Sequence, residues 1–233
     1  MRTCWLLILL PIFLFAACNK GNQLSFEMKS VQKQAGNCKK KDAPCARVDL
    51  KFPIVKKGKQ ELKKSINDTI IATLIQNFVF EEMQGEPTQE RLASVADTFL
   101  AEWKKSTEED AEFATSGWEV SVEGEVGMQT EKMVSVSLST YSYAGGAHPN
   151  SYVTIYNFSL KTGKPLKWKD LVTDMKDLKK LAEKKFKAAR ELPANADLGE
   201  EGFFWDEEFS LPANFELQKD GIYFWYNSYE AAA

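Results

Sequence analysis

The chain has 233 residues, of which 44% are hydrophobic and 12% are aromatic, and its formal net charge is −3. These proportions are typical of a folded globular protein rather than a disordered one. The small net charge, with lysines spread along the chain, excludes the strongly basic surface that nucleic-acid binding requires, so we expect no nucleic-acid partner.

Residues 2–18 predict a lipoprotein export signal. Arg2 precedes an apolar run from Trp5 to Ala17, which fits the roughly 7–15 residue core of a signal peptide and is shorter than the about 20 residues that span a bilayer. Small residues then precede Cys18, whose thiol would receive the lipid. We expect residues 1–17 to be cleaved and Cys18 to carry acyl chains such as palmitate. The alternative is an ordinary signal peptide followed by a coincidental cysteine.

Acylation at Cys18 would place the protein on a membrane without crossing it. Several acyl chains together anchor a protein stably, because each buried methylene contributes about 0.8 kcal/mol. Residues 18–23 would form a polar tether between the lipid and the first ordered residues. Asn19 stands where an aspartate often retains lipoproteins in the inner membrane, so we expect the outer membrane of the cell envelope, facing the periplasm.

Two cysteines remain to form a disulfide. Cys4 would leave with the signal and Cys18 would be acylated, so only Cys38 and Cys45 remain in an oxidising compartment. The segment between them is polar and turn-forming, and closing so short a loop would contribute roughly 2–3 kcal/mol. The chain has one histidine and no further cysteine pair, so we expect neither a metal site nor a cofactor.

The first half of the mature chain predicts a strand hairpin followed by two helices. Alternating apolar residues over 24–32 and 46–55 predict two strands that pair across the disulfide. Apolar residues recur every four positions over about 60–82, which predicts an amphipathic helix. Its buried stripe would consist of Leu62, Ile66, Ile70, Leu74 and Phe78. Thr88 is a candidate amino-terminal cap for a second helix that ends near Ser106.

The second half predicts a strand meander, a third helix and a final hairpin. Alternation at 118–122 and 134–138 predicts two strands, and a third follows over 151–160. One face of that third strand would carry Tyr152, Thr154, Tyr156 and Phe158. A helix over about 174–191 would bury Leu178, Leu181, Ala182 and Phe186. The last hairpin would turn at 219–221.

Strands before and after helices, without regular alternation of the two, predict an α+β fold in which about three helices pack on a mainly antiparallel sheet. We expect two α+β subdomains, covering residues 24–112 and 113–233. The second would carry the loop with the sequence Gly-Gly-Ala-His-Pro.

This loop, between two predicted strands, is the candidate binding site. Its candidate ligand-binding residues are Tyr143, Gly145, Gly146, His148, Pro149 and Asn150. The glycines permit positive φ, and the proline favours an extended conformation of His148, so the connection is constrained. No hydrolase elbow, metal-binding helix or phosphate loop accompanies the histidine, so we assign no catalytic residue.

An acidic segment around Phe203, Phe204 and Trp205 offers the other candidate chemistry. Paired carboxylates can hydrolyse glycosides when they lie about 5–10 Å apart, so one alternative is an envelope hydrolase that uses His148 with acidic residues of the 200–208 loop. The simpler interpretation is a solvated loop whose aromatic residues plug into the core.

Four segments together resemble a known family. They are Cys38–Pro53, the loop from Tyr143 to Asn150, the stretch Asn157–Lys164 with Asp170–Leu171, and Asn214–Phe215 with Tyr226–Glu230. They are similar to a domain of unknown function in bacterial envelope proteins. That domain is shared by the extracellular half of the lysozyme-sensing anti-sigma-V factor and the non-catalytic amino-terminal part of a peptidoglycan deacetylase.

The resemblance covers nearly all of the mature chain and implies an α+β envelope domain that, in the anti-sigma member, recognises lysozyme. It does not imply deacetylase activity, which lies in a separate domain of that relative. We therefore expect a membrane-anchored lipoprotein that binds a lysozyme-like protein or a cell-wall glycan without catalysis. The alternatives are the hydrolase and a purely structural envelope lipoprotein.

Overall fold

The computed structural model describes residues 24–40, 43–78, 85–109, 117–204 and 208–232. In chain order the elements are β1 (Ser25–Gly36), β2 (Cys45–Lys57), α1 (Gln60–Gln76), α2 (Gln89–Glu109), β3 (Trp118–Gln129), β4 (Met133–Tyr143), β5 (Asn150–Ser159), α3 (Trp168–Leu171), α4 (Met175–Ala189), β6 (Asn214–Gln218) and β7 (Gly221–Trp225). The predicted signal peptide, Cys18 and the tether lie outside the described residues. Within the described ranges, no helix is long and apolar enough to cross a membrane.

Five strands form the main sheet in the order β1-β2-β3-β4-β5. Every neighbouring pair is antiparallel except β2 and β3, which run parallel. The helices α1 and α2 lie between β2 and β3 in the chain. They bring the chain back to the end of the sheet at which β2 began, as a parallel pair requires. The mainly antiparallel α+β fold is therefore confirmed, and so are the first hairpin and the meander.

The predicted subdomain boundary at residues 112 and 113 lies outside the described residues. Strands from both sides of it, β2 and β3, pair directly from Ala46 with Trp118 to Lys51 with Glu123. Within the described chain, the main sheet therefore continues from one predicted subdomain into the other.

The main core lies between this sheet and the two helices. Alternate residues of β2 and β3, such as Val48, Leu50 and Val122, are almost fully buried. The stripe of α1 is buried over Leu62, Ile66, Ile70, Ile71, Leu74 and Ile75, and that of α2 over Leu92, Ala96, Phe99, Leu100 and Trp103. The positions of these buried residues follow from the side-chain period of two in strands and 3.6 in helices.

The helix ends refine the predicted boundaries. The helix α1 ends at Gln76 rather than near residue 82, because Asn77 caps it and its Nδ2 donates to the Leu74 carbonyl at 3.0 Å. The predicted cap of α2 is confirmed, since Thr88 Oγ1 accepts from the Arg91 N–H at 3.1 Å. The helix α2 continues to Glu109, beyond the predicted end.

The helix α4 starts where the sequence predicts but buries a narrower face. Asp174 caps it by accepting from the N–H groups of Lys176 and Asp177, both at 2.9 Å. Ala182 is buried and Phe186 packs into a second core, whereas Leu181 is 56% exposed. The predicted burial of Leu181 is therefore wrong, because this small core covers only one side of the helix.

The second core lies around Phe186 and contains the residues of the predicted aromatic plug that the structure describes. Its buried members are Ala182, Leu198, Phe204, Phe209 and Ala231, with Phe203 and Tyr226 partly buried beside them. Trp205, also predicted to plug into the core, lies outside the described residues. The core joins α4 to the segment that precedes β6 and the segment that follows β7.

Three asparagine side chains join the small β6–β7 sheet to the outer edge of β5. Asn227 contacts Val153, Asn214 accepts from the Ile155 N–H at 2.9 Å, and the buried Asn157 donates to the Phe215 carbonyl at 2.6 Å. An edge strand exposes unpaired backbone groups. The side-chain amides satisfy some of these groups, so the two sheets are connected without a common ladder.

The main sheet has two ends with different surroundings. The disulfide end comprises the turn from residue 37 to 44, the start of β3 and the loop between β4 and β5. The Leu24 end comprises the start of β1, the end of β2 and the turn between β3 and β4. With 12 residues, β1 spans the distance between these ends, about 40 Å.

Candidate functional site

The predicted binding loop is an exposed connection at the disulfide end. Tyr143 ends β4 and Asn150 begins β5. The Tyr143 hydroxyl donates to the Gly146 carbonyl at 3.0 Å, which closes the loop on itself, and Gly145 has a φ of +74°. The structure therefore brings together two of the predicted residues, Tyr143 and Gly146, and explains the requirement for glycine at position 145.

His148 lies at an exposed position of this loop. Its side chain is exposed, and its Nδ1 lies 3.0 Å from the carbonyl of the next residue, Pro149. No ion pair joins it to a described carboxylate. Within the described part of the chain, no group of three or more His, Cys, Asp or Glu side chains could hold a metal ion.

The acidic segment does not reach His148 through its described residues. Glu208 lies 3.6 Å from Lys179 on α4. Asp197 accepts from the N–H groups of Gly199 and Glu200 and so shapes the turn before Phe203. Asp206 and Glu207, two candidates for acid–base chemistry, lie outside the described residues. The described contacts fit a loop that positions a hydrophobic plug.

The predicted disulfide is confirmed, and it lies at the same end of the sheet as the predicted binding loop. Cys38 and Cys45 are bonded, with their Cα atoms 5.2 Å apart, which is within the range usual for disulfides. Cys45 is also the first residue of β2 and pairs with Gly36 of β1. The bond therefore fixes the start of β2, and with it the position of Arg47 two residues later.

The sheet face opposite the helices is polar at the disulfide end. On β2 it carries Arg47, Asp49 and Lys51, and the paired positions of β3 are Glu119, Ser121 and Glu123. Lys51 donates to Glu123, and this hydrogen bond raises the pKa of the lysine. Tyr141, next on β4, is 38% exposed. We call this region the Arg47 face: Gln32, Arg47, Asp49, Lys51, Glu119, Glu123, Glu125, Tyr141 and Tyr143.

Two open cavities meet at Arg47. One of about 560 Å³ lies over β1 and β2 and is lined in part by Gln32, Asp49 and Cys38. The other, of about 290 Å³, lies between the disulfide turn and the end of β4 and is lined by Arg47, Glu119, Trp118, Tyr141 and Tyr143, with Pro44 and Cys45 at its rim. Of the six predicted binding residues, only Tyr143 lines either cavity.

Sequence reasoning missed Arg47, Glu119 and Tyr141. A signal for them exists, because they occupy the polar positions of strands whose apolar positions predict the core. Alternation therefore identifies the open face of each strand. It does not identify which open faces are neighbours, since that depends on the parallel pairing of β2 with β3.

At the Leu24 end the same face is partly covered by β6. A Cβ atom placed on Gly127 would lie 3.0 Å from Glu216 Oε1, so β6 approaches the end of β3 closely. The open part of the face is therefore the part that contains Arg47 and the two tyrosines.

Two family models match the chain. Residues 39–151 match the model described as Deacetylase PdaC, and residues 169–233 match the model described as Protein of unknown function (DUF3298). The first match contains β2, α1, α2, β3, β4 and the predicted binding loop. The second contains α4 and the small sheet. No curated protein matches the chain.

Solved structures of the second family share the fold. A DUF3298 family member from Bacteroides fragilis NCTC 9343 superposes with a TM-score of 0.72 at 21% identity, covering 91% of this chain and 87% of that one. A DUF3298 family protein from Pseudomonas aeruginosa PAO1 has a TM-score of 0.57 at 18% identity, covering 89% and 85%. At these identities the likeness concerns the fold alone. The family resemblance predicted from the sequence is confirmed: residues 39–151 are similar to the deacetylase PdaC model, and residues 169–233 are similar to the DUF3298 model, which describes proteins of unknown function.

Proposed function

We propose that this protein is an acylated envelope lipoprotein whose Arg47 face binds a ligand at the end of the sheet remote from the membrane, without catalysis. The observation that carries the proposal is the open polar face with two cavities at the disulfide end. The predicted tether enters at Leu24, the other end of β1. A lipid anchor at Cys18 would therefore leave the Arg47 face and the binding loop free for a ligand.

The charge of the face favours a cationic protein. Its two cations, Arg47 and Lys51, stand against four carboxylates: Asp49, Glu119, Glu123 and Glu125. A net negative surface attracts a positively charged partner and speeds its association. Protein interfaces are enriched in tyrosine and arginine, and Arg47, Tyr141 and Tyr143 line one cavity of this face. Lysozyme, which the family resemblance suggests, is a ligand of this chemistry, and a cell-wall glycan is the other ligand to test.

The binding experiment uses the mature acylated protein in detergent and titrates it calorimetrically with lysozyme and with soluble peptidoglycan fragments. We expect binding of lysozyme that weakens as salt increases, because screening reduces attraction between exposed charges. The variant Arg47→Ala tests the centre of the face, and Tyr141→Ala with Tyr143→Ala tests its aromatic part. The tyrosine pair should weaken binding by about tenfold or more if it lies at the interface centre.

Tyr223 provides a matched control, because it is 48% exposed on β7, away from the Arg47 face. The variant Tyr223→Ala should bind as the unaltered protein does. Binding of the glycan but not lysozyme would move the ligand to the polysaccharide class. Absence of binding to both would contradict the proposed function, and a partner found only by crosslinking in the envelope would favour a structural lipoprotein.

The anchor is tested separately by mass spectrometry of the amino-terminal peptide. An acyl mass on Cys18, absent in a Cys18→Ser variant, is the expected result. A mature peptide that starts elsewhere and carries no acyl group would contradict the lipoprotein part of the proposal.

A further inference from the structure

The Leu24 end of the sheet carries a groove that is apolar inside and charged at its rim. Its volume is about 760 Å³, and it lies between the start of α1, the turn from β3 to β4 and the segment after β5. The apolar lining consists of Leu62, Met133, Leu160, Leu166, Leu171 and Leu217. Exposed lysines line the groove at three points, Lys59, Lys132 and Lys161, and the lining also contains the carboxylates Glu61, Glu131 and Asp170.

Three segments that meet at this groove concentrate positive charge. Residues 56–64, 130–132 and 161–164 contain eight lysines and two glutamates, a formal charge of +6. Since the whole chain carries −3, the remainder of the chain carries −9. Ion pairs with other described residues engage only Lys56 and Lys64 of this set. These three segments therefore carry a clear excess of positive charge at this end of the sheet, in a chain whose total charge is negative.

Hydrogen bonds show that these segments form one surface. Ser65 Oγ on α1 donates to the Gly163 carbonyl at 3.0 Å, and the Leu160 N–H donates to the Lys132 carbonyl at 2.8 Å. The first described residue, Leu24, belongs to the same end. Its side chain packs against Gly58, and its carbonyl accepts from Gln129 Nε2 at 3.1 Å.

The length of the tether determines which end of the protein can lie near an attached lipid. Residues 19–23 separate Cys18 from Leu24, and even a fully extended chain of that length reaches only about 20 Å. The disulfide end lies about 40 Å from Leu24 along β1. This step rests on the proposed function, because it requires acylation of Cys18.

We propose that the groove and its lysines form a docking surface for an anionic phospholipid bilayer, which holds the sheet upright with the Leu24 end against the headgroups. Lysines close to a negatively charged leaflet are attracted to it. Salt screens this attraction beyond a Debye length, which is about 8 Å at physiological ionic strength. Leu166, Leu171 and Leu217, the partly exposed residues of the apolar lining, can bury surface against the upper acyl region, as interfacial segments do. The acyl anchor and the basic surface then act as two membrane signals in one protein.

Reactivity of the lysines toward an acetylating ester tests this docking in the acylated mature protein. The protein is reconstituted into vesicles of phosphatidylglycerol and phosphatidylethanolamine, and into vesicles of phosphatidylcholine and phosphatidylethanolamine. We expect Lys59, Lys132 and Lys161 to be acetylated several-fold more slowly on the anionic vesicles. Lys39 and Lys40, exposed in the disulfide turn, should react equally on both and serve as internal controls.

Charge reversal provides the matched comparison. The variant Lys132→Glu with Lys161→Glu should abolish the protection of Lys59, whereas Lys39→Glu with Lys40→Glu should leave it unchanged. Equal acetylation of Lys59, Lys132 and Lys161 on both kinds of vesicle, in a protein that carries its acyl mass, would overturn the docking surface and leave the lipoprotein intact. A protein without that mass would overturn the lipoprotein assignment and the docking surface together.

Discussion

The side-chain amide of Asn227 bonds both backbone groups of Val153. Its Oδ1 accepts from the Val153 N–H at 2.8 Å, and its Nδ2 donates to the Val153 carbonyl at 3.0 Å. One side chain thereby replaces one residue of a neighbouring strand at the edge of β5. Glu230 holds Asn227 in place by accepting from its backbone N–H at 3.0 Å.

Replacement of Asn227 by alanine should destabilise the protein by about 1–3 kcal/mol, because both backbone groups of Val153 would lose their partner. Urea unfolding of the two proteins measures the difference. The variant Asn195→Ala is a control, since Asn195 is exposed in a loop, and it should change the free energy of unfolding by less than about 0.5 kcal/mol. Equal stability of Asn227→Ala and the control would show that the paired bonds contribute nothing.

The short helix α3 begins at Trp168, whose ring packs over the small sheet. Its ring centroid lies 3.9 Å from that of Phe215 and 5.2 Å from that of Phe224, and its Nε1 donates to the Pro212 carbonyl at 3.1 Å. We expect Trp168→Ala to cost about 3 kcal/mol, because it removes aromatic packing and leaves a cavity. Thermal unfolding measures this loss.

Trp225 gives the matched control for that substitution. It lies on β7 of the same small sheet and is 48% exposed. The variant Trp225→Ala should cost less than about 1 kcal/mol, as surface substitutions usually do. A similar loss of stability in both variants would show that the ring packing of Trp168 on Phe215 and Phe224 does not stabilise the protein.

The two neighbouring glycines of the binding loop should respond differently to alanine. Gly145 has a φ of +74°, which costs a residue with a Cβ atom roughly 1–2 kcal/mol, whereas a Cβ on Gly146 would meet nothing within 4 Å. We expect Gly145→Ala to lower the free energy of unfolding by about 1 kcal/mol and Gly146→Ala to leave it nearly unchanged. Chemical denaturation distinguishes them, and the reverse order would contradict this description of the loop.

Tyr226 should make the protein less stable at high pH. Burial in the second core, followed by the nearby charge of Glu230, raises the pKa of its phenol well above the ordinary value. Above about pH 10 the unfolded chain releases this proton while the folded protein keeps it, so the stability that is present below pH 10 is lost as the pH rises. Urea unfolding between pH 8 and pH 11 measures the slope.

The variant Tyr226→Phe should reduce that slope. It also removes the hydrogen bond from the Tyr226 hydroxyl to the Ser210 carbonyl at 2.7 Å, so at pH 8 it should be less stable by about 1 kcal/mol. Tyr229→Phe is the control, since Tyr229 is 59% exposed. If the slope between pH 9 and pH 11 is the same in all three proteins, Tyr226 does not cause the alkaline loss.

Local patterns predict which residues of each element are buried. The face of β5 with Tyr152, Thr154, Tyr156 and Phe158 is confirmed, because their partners on β4 include the buried Leu138 and Val136. The disulfide follows from the small number of available cysteines. In both cases neighbouring residues of the sequence contain the information.

Contacts between distant segments leave no such local pattern. Nothing near Asn157 in the sequence shows that its side chain meets Phe215 and Leu217, which lie about sixty residues later. The parallel pairing of β2 with β3 is equally remote, and so the Arg47 face could not be assembled from the sequence. The helix α3 was missed because four residues are too few to show a helical period.

The parallel pair also determines the order in which the sheet can be completed. The hairpin of β1 and β2 needs only local contacts and can close before the rest of the chain has folded. The strand β3, in contrast, begins at Trp118, after both helices, and contacts between distant segments form slowly. During that interval one edge of β2 has no strand beside it, and an open edge with buried-type residues such as Val48 and Leu50 invites pairing with other chains. The stage most sensitive to aggregation is therefore the stage before β3 arrives, rather than the folding of the small sheet at the end.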